Sequence, residues 1–175
     1  YDGLKKVTIN GINIILLITI PATVGMIILA NPIVKIAFER GKFDSVATYM
    51  TVGALIFTVV GMLGASLRTL LNNVYYSLQD TKTPVINGFI AVTINVVLNL
   101  ILIKPMAHRG LALATSISAT VASILLIYRL KKKIGSLGLM KSVKCGLKAL
   151  VASMVMGIVV YFLHISLANK MGSGT

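Results

Sequence analysis

Asn72-Asn-Val-Tyr-Tyr-Ser-Leu-Gln-Asp-Thr-Lys-Thr-Pro84 is a polar, aromatic and charged junction between two long apolar runs, Val46–Leu71 and Val85–Ile103. Each run is long enough to cross the roughly 30 Å of bilayer hydrocarbon, which needs about 20 mostly apolar residues. A membrane protein places such a junction where it handles something polar or where it fixes a turn, and the runs beside it are spans. Outward from it, Val7–Ala30, Gly110–Tyr128 and Leu147–Leu167 complete a set of five. None alternates like a barrel strand, so helices must satisfy the backbone inside the lipid. Hydrophobic residues make up 57% of the chain, and the mean hydropathy is +0.93. A soluble domain is nearer half apolar and about twice as charged. The fold class is all-α, a polytopic membrane helix bundle.

The first span is too long for a signal peptide, contains Pro21 and has no small-residue cleavage site near the start. The missing initiator Met and the Gly172-Ser-Gly-Thr175 end suggest a piece of a longer protein, with a complete five-span protein as the alternative.

Charge gives an orientation. Lys5, Lys6, Lys82, Arg129, Lys131, Lys132, Lys133, Lys141, Lys144 and Lys148 fall on one side if every span crosses. Lys35, Arg40, Lys42, Lys104, Arg109 and Lys170 fall on the other, partly offset by Glu39 and Asp44. The bias puts the chain start and the loop 129–148 in the cytoplasm. A net charge of +13 could suggest nucleic acid, but the charges are spread over short loops, so topology explains them and no nucleic-acid partner is expected. The basic loop would attract anionic membrane lipids.

Little supports catalysis. The acids Asp2, Glu39, Asp44 and Asp80 all fall in loops or at span ends. No paired carboxylates, Ser-His-Asp set or phosphate-binding glycine loop is present. His108 and His164 lack Cys or carboxylate company, so no metal or other cofactor is expected, and the lone Cys145 reads as a small apolar filler.

Several local features carry information. Pro21 predicts a kink in span one, with Gly25 one turn later. The pair is either a tolerated kink or a hinge. Ile33-Val-Lys-Ile-Ala-Phe-Glu-Arg40 mixes apolar and charged residues and predicts an interfacial segment. Gly41-Lys-Phe-Asp44 turns the chain, with Asp44 or Ser45 as a helix cap. The second helix is predicted over Ser45–Leu78, 34 residues or about 51 Å at about 1.5 Å each, so it must tilt or project. Gly61-Met-Leu-Gly64-Ala65 permits close backbone approach. Arg68, Asn72, Tyr75 or Tyr76, and Gln79 recur at helical spacing. This stripe reads either as a snorkelling Arg on a solvated helix end or as the lining of a water-filled cavity. Thr83 suits a cap and Pro84 the first turn of span three. There Asn87, Ala91, Asn95 and Asn99 step by four, so their side must face protein or water. Ala114, Ser118 and Ala122, then Thr115, Ala119 and Ser123, then Ala149, Ser153 and Gly157 are packing repeats.

Ile20-Pro-Ala-Thr-Val-Gly25, Phe38-Glu-Arg-Gly-Lys-Phe43, Tyr75-Tyr-Ser-Leu-Gln-Asp-Thr-Lys-Thr-Pro-Val85 and Gly110-Leu-Ala-Leu-Ala-Thr-Ser-Ile-Ser-Ala119 occur in the order and spacing of one family. From about Leu4 to Leu167 the chain resembles the MurJ/MviN lipid II flippases, of the multidrug/oligosaccharidyl-lipid/polysaccharide exporter superfamily. The resemblance implies five of fourteen helices, from the C-terminal part of a two-lobed protein. Residues 1–130 would be part of the C-terminal transmembrane lobe, and residues 131–175 the basic cytoplasmic loop plus one further helix. It implies a bacterial cytoplasmic membrane location, a lipid-linked oligosaccharide substrate, lipid II, and alternating access with a missing N-terminal lobe, without enzymatic chemistry. Much of that family's cationic cavity lies outside this stretch. The substrate-cavity candidates here are Arg68, Asn72, Tyr76, Gln79, Asn95 and Asn99, with Pro21 and Gly25 as hinge candidates. A related polysaccharide-lipid or drug exporter and a non-transporting membrane scaffold are the alternatives. The absence of a membrane-buried carboxylate in these spans argues against a cation antiporter.

Overall fold

In the computed structural model, residues 2–38, 45–106, 108–135 and 138–172 are described, and they form six helices. These are α1 (Asp2–Ile28), α2 (Ala30–Phe38), α3 (Ser45–Ser77), α4 (Lys82–Met106), α5 (His108–Ile134) and α6 (Met140–Gly172). Five of them are long and apolar enough to cross a membrane. The Gly41–Asp44 turn and its Asp44 cap lie outside the described residues, as do the side chains of Asp2, Ser45, His108, His164 and Lys170.

Each long helix extends past its apolar run at one end or both, because polar residues there continue the backbone hydrogen bonding, while α1 stops at Ile28, short of the predicted Ala30. The largest departure is at the basic loop 129–148. It is helix on both sides: α5 runs to Ile134 and α6 starts at Met140. Lys131, Lys132 and Lys133 occupy the last turn of α5, where cations favour the negative end of the helix dipole. Helix α1 continues through Pro21, and its break falls later, at Leu29, before the short helix α2. Helix α3 ends as predicted, within a residue. Gln79 takes a left-handed φ of 57°. Its N–H donates to the Tyr76 carbonyl at 2.9 Å, and the Asp80 N–H to the Tyr75 carbonyl at 3.0 Å. That pair of bonds is a Schellman stop, usually built on Gly.

The helices pack in the spatial order α6, α1, α3, α5, α4, with α2 against α3. Helix α4 lies on α5 rather than on α3, its neighbour in sequence. The tightest contact is α3 on α5. A Cβ on Gly61 would sit 2.6 Å from Ser116 Cα, and one on Gly64 would sit 2.8 Å from Thr120 Cα. Only Gly allows that approach, as the Gly61–Ala65 segment predicted. Ser116 seals it by donating to the Phe57 carbonyl of α3 at 2.5 Å. At the far end of both helices, Leu71, Val74, Tyr75, Leu126, Leu130 and Ile134 form a buried cluster. On the other flank, Ala149, Ser153 and Gly157 of α6 are buried, and Gly157 meets Val24 and Ile28 of α1. The Ala114, Ser118 and Ala122 repeat is buried too. Of the Thr115, Ala119 and Ser123 repeat, only Ser123 is.

Gly64→Leu should lower the stability of the detergent-solubilised protein by about 1–3 kcal/mol or more, the usual cost of overpacking. Gly25→Ala meets only Met156 Cε at 3.9 Å and should leave the melt unchanged. Thermal unfolding followed by size-exclusion recovery checks both. A Gly64→Leu protein that melts like wild type would show that α3 and α5 do not meet there.

Candidate functional site

Arg68 sits on α3, half-buried, on the side that looks past α5 towards α4. Its Nη2 comes within 3.8 Å of where a Cβ on Gly88 would stand. It reaches a recess of about 200 Å³ lined also by Ala91, Val92 and Asn95 of α4 and Thr115 and Ser118 of α5. The polar stripes of two helices, read separately in the sequence, meet here.

The recess has a defined hydrogen-bond direction. Asn99 Nδ2 donates to Asn95 Oδ1 at 3.0 Å. Asn95 Nδ2 then donates to Thr115 Oγ1 at 3.3 Å and Ser118 Oγ at 3.4 Å. Both hydroxyls spend their protons within α5, Thr115 on the Leu111 carbonyl at 3.0 Å and Ser118 on the Thr115 carbonyl at 2.9 Å. The guanidinium is thus the group with N–H donors left to offer into the recess. Asp80 is the one acid among the residues whose side chains are described, and it lies in the α3–α4 turn, paired elsewhere. A membrane-embedded Arg without a carboxylate draws water or an anion.

The other candidates separate into different roles. Asn72 is half-buried, with Oδ1 enclosed and without a donor, as is Asn99 Oδ1. Tyr75 is buried, and its hydroxyl donates to the Leu126 carbonyl at 3.0 Å. It belongs to the core, which leaves Tyr76, exposed, as the accessible member of the pair. Gln79 is exposed, at the helix stop described above. Asn87 is fully buried and donates to the Ala122 carbonyl at 3.1 Å, an interhelical tie. Pro21 and Gly25 lie half-buried on α1, with Gly25 towards Met156 of α6.

Sequence reasoning missed Thr115 and Ser118 as site residues, because small hydroxylated residues at fourfold spacing read as packing. It also missed Asn13 on α1, whose Oδ1 is enclosed without a donor. A larger apolar cleft of about 580 Å³ runs between α1, α3 and α5, bordered by Met26, Leu55, Met62 and Leu111. Thr115 stands on the rim of both cleft and recess. Among the described residues, no three His, Cys, Asp or Glu come together.

In the α3–α4 turn, Asp80 takes the role the sequence offered to Thr83. It accepts from the Thr83 amide at 3.0 Å and from the Thr83 hydroxyl at 2.8 Å, capping α4. Pro84 occupies the first turn, as predicted. Asp80 also pairs with Lys133 of α5. The Lys133 ammonium first, then the Thr83 amide, hold the Asp80 carboxyl down at about 2.

The sequence model for the lipid II flippase MurJ matches residues 2–175. The probable lipid II flippase MurJ of Haemophilus influenzae is 37% identical over 152 residues, covering 87% of this chain and 30% of that protein. That of Rickettsia prowazekii is 38% identical over 115 residues, 66% of this chain and 23% of the relative. A solved structure described as lipid II flippase MurJ in an inward closed conformation superposes with a TM-score of 0.81 at 28% identity. The match covers 93% of this chain and 33% of that one. The chain therefore spans a third or less of the proteins it matches here. With five long apolar helices it is a multi-pass membrane protein.

A carboxyl depressed on folding stabilises above its unfolded pKa and loses that contribution as pH falls through the folded value. The melting-temperature difference between wild type and Asp80→Asn should be constant above about pH 4 and shrink as pH falls towards about 2. A difference that instead grows on acidification would contradict the pairing.

Proposed function

The chain belongs to the lipid II flippase MurJ family, and from that premise we propose that it forms part of a translocator that carries lipid II across the bacterial cytoplasmic membrane. Residues 1–130 contribute to the C-terminal lobe of a fourteen-helix protein, and residues 131–175 add the basic connection and one further helix. Alternating access against an N-terminal lobe moves the headgroup, with no covalent chemistry on the substrate. The chain start and the segment 129–148 face the cytoplasm, following the excess of Lys and Arg on that side.

What carries the reading for this segment is the convergence of Arg68 with Asn95, Thr115 and Ser118 in one recess. Arg68 binds a phosphoryl oxygen of the lipid II diphosphate, for which a guanidinium's paired donors are well shaped. Asn72, Asn95 and Asn99 hydrate the path and accept sugar hydroxyls, with Tyr76 and Gln79 at its cytoplasmic mouth. Pro21 and Gly25 give α1 the freedom to bend as the lobes exchange. A cation antiporter of the same superfamily fits less well. The acid seen here, Asp80, is at the surface and already paired.

In the full-length protein, Arg68→Ala should reduce lipid II flipping about tenfold to a hundredfold, since hydrogen bonds to charged groups are worth about 1.5–3 kcal/mol. Membrane abundance should stay near normal, and Arg68→Lys should retain part of the activity. Wild-type export by Arg68→Ala would make the residue a snorkelling anchor. A Cys placed at Lys132 should resist an impermeant maleimide added outside intact cells. Rapid labelling there would invert the topology.

A further inference from the structure

Gly53 lies inside α3, where a glycine weakens a helix. The reason for it stands on α5. A Cβ at Gly53 would overlap the Nε and Cζ of Arg109, whose side chain crosses that gap. Arg109 Nη2 donates to the Tyr49 carbonyl at 2.7 Å, and its Cζ stands 4.1 Å from the centre of the Tyr49 ring. Tyr49 and Gly53, one turn apart on α3, thus form a fitted seat for one guanidinium. The seat lies at the end of the α3–α5 pair away from the Asp80 turn. The next hydrogen bond between the two helices, from Ser116 to the Phe57 carbonyl, is seven residues further along α5, or about 10 Å.

Two features set this tie apart from a permanent one. Nε is enclosed against Gly53 and finds no acceptor, so a donor on a charged group goes unpaired for as long as the arginine is seated. Arg109 also stands in the first turn of α5, where the helix dipole repels a cation. The hydrogen bond and the ring contact favour the seat, the unpaired Nε and the dipole oppose it, and the opposing effects are of similar size. Among the described residues the one carboxylate, Asp80, is held by Lys133, so no acid tips the balance. Off the seat, all five N–H donors of the guanidinium can reach water. The way out is open, since the Tyr49 side of the seat is 69% exposed.

We propose that Arg109 is a two-state latch on the α3–α5 pair. Seated, it holds the two helix ends together over Gly53. Released, it lets them part as far as the Gly61–Ser116 contact, which acts as the fulcrum. The buried cluster of Leu71, Tyr75, Leu126 and Leu130 keeps the other end closed in both states. The latch rests on these contacts alone and is independent of what the full-length protein carries.

The test uses purified full-length protein with its native cysteines, Cys145 included, replaced by Ala. Spin labels go on Cys residues at two exposed positions near the seat, Met50 of α3 and Leu111 of α5, and distances are read by double electron–electron resonance. A second pair at Tyr76 and Tyr128, also exposed, reports the opposite end. Unmodified at Arg109, the first pair should give one narrow distance. R109A removes a bond to a charged group and a ring contact, so the longer-distance population should rise about tenfold. G53A should do the same, because its Cβ displaces the far end of a flexible side chain rather than a helix. Y49F should match wild type, since the bond uses the main-chain carbonyl and the ring survives. The Tyr76–Tyr128 distance should stay fixed throughout. The proposal falls if R109A and G53A keep the wild-type distribution, if Y49F shifts as far as they do, or if both ends loosen together. A lowered melt with unchanged distances would make the seat a static clamp and counts equally against it. Should G53A fold poorly, R109A alone must show the shift.

Discussion

Helices α3 and α5 touch backbone to backbone at Gly61 and Gly64, and the rest of the bundle is arranged around that contact. In hydrocarbon there is no hydrophobic gain from bringing two apolar helices together, so packing density and buried hydrogen bonds must hold them. Ser116 supplies the hydrogen bond, and the two glycines supply the density. Once the pair is fixed, α5 keeps a second face for α4, joined through Asn87 and the Asn95 network. Meanwhile α3 keeps a face for α1 and α2. Arg68 can reach α4 only because α5 holds α4 at that distance from α3.

Class and element count were legible because membrane solvation leaves few options: an apolar run of this length must be a helix. A close backbone approach on α3 was legible from Gly61 and Gly64, but not that α5 makes it; Ser116 and Thr120 supply that partner. Helix ends were less so. Lys131–Lys133 and Lys141–Lys148 look like a loop by hydropathy, yet they continue α5 and open α6, because charged side chains at a helix end stay solvated, and at the end of α5 they also favour the C-terminal dipole. Asp80 displaced Thr83 as the cap because its carboxylate could serve Lys133 at the same time.

The candidate site was legible in halves. Periodicity placed Arg68 on one helix and Asn95 and Asn99 on another. Nothing in one-dimensional spacing says that two helices not strongly packed on each other share a recess. Thr115 and Ser118, which join them, carried no signal beyond small size. Of the tyrosines, spacing could not separate Tyr75 from Tyr76. Burial separates them, since only Tyr75 finds the Leu126 carbonyl.

The pairing of α6 with α1 bears on how such a bundle is made. A chain enters the membrane from its first residues onward, and α6 is the last of these helices to leave the ribosome. Its buried stripe packs chiefly on α1, the first of them. Until α6 arrives, the flank of α1 that carries Val24 and Ile28 lacks the partner it packs against here. Contacts so distant in sequence close late. Closure of this flank therefore follows insertion of every helix between, and a chain halted before Met140 would leave that side of α1 without its α6 contact.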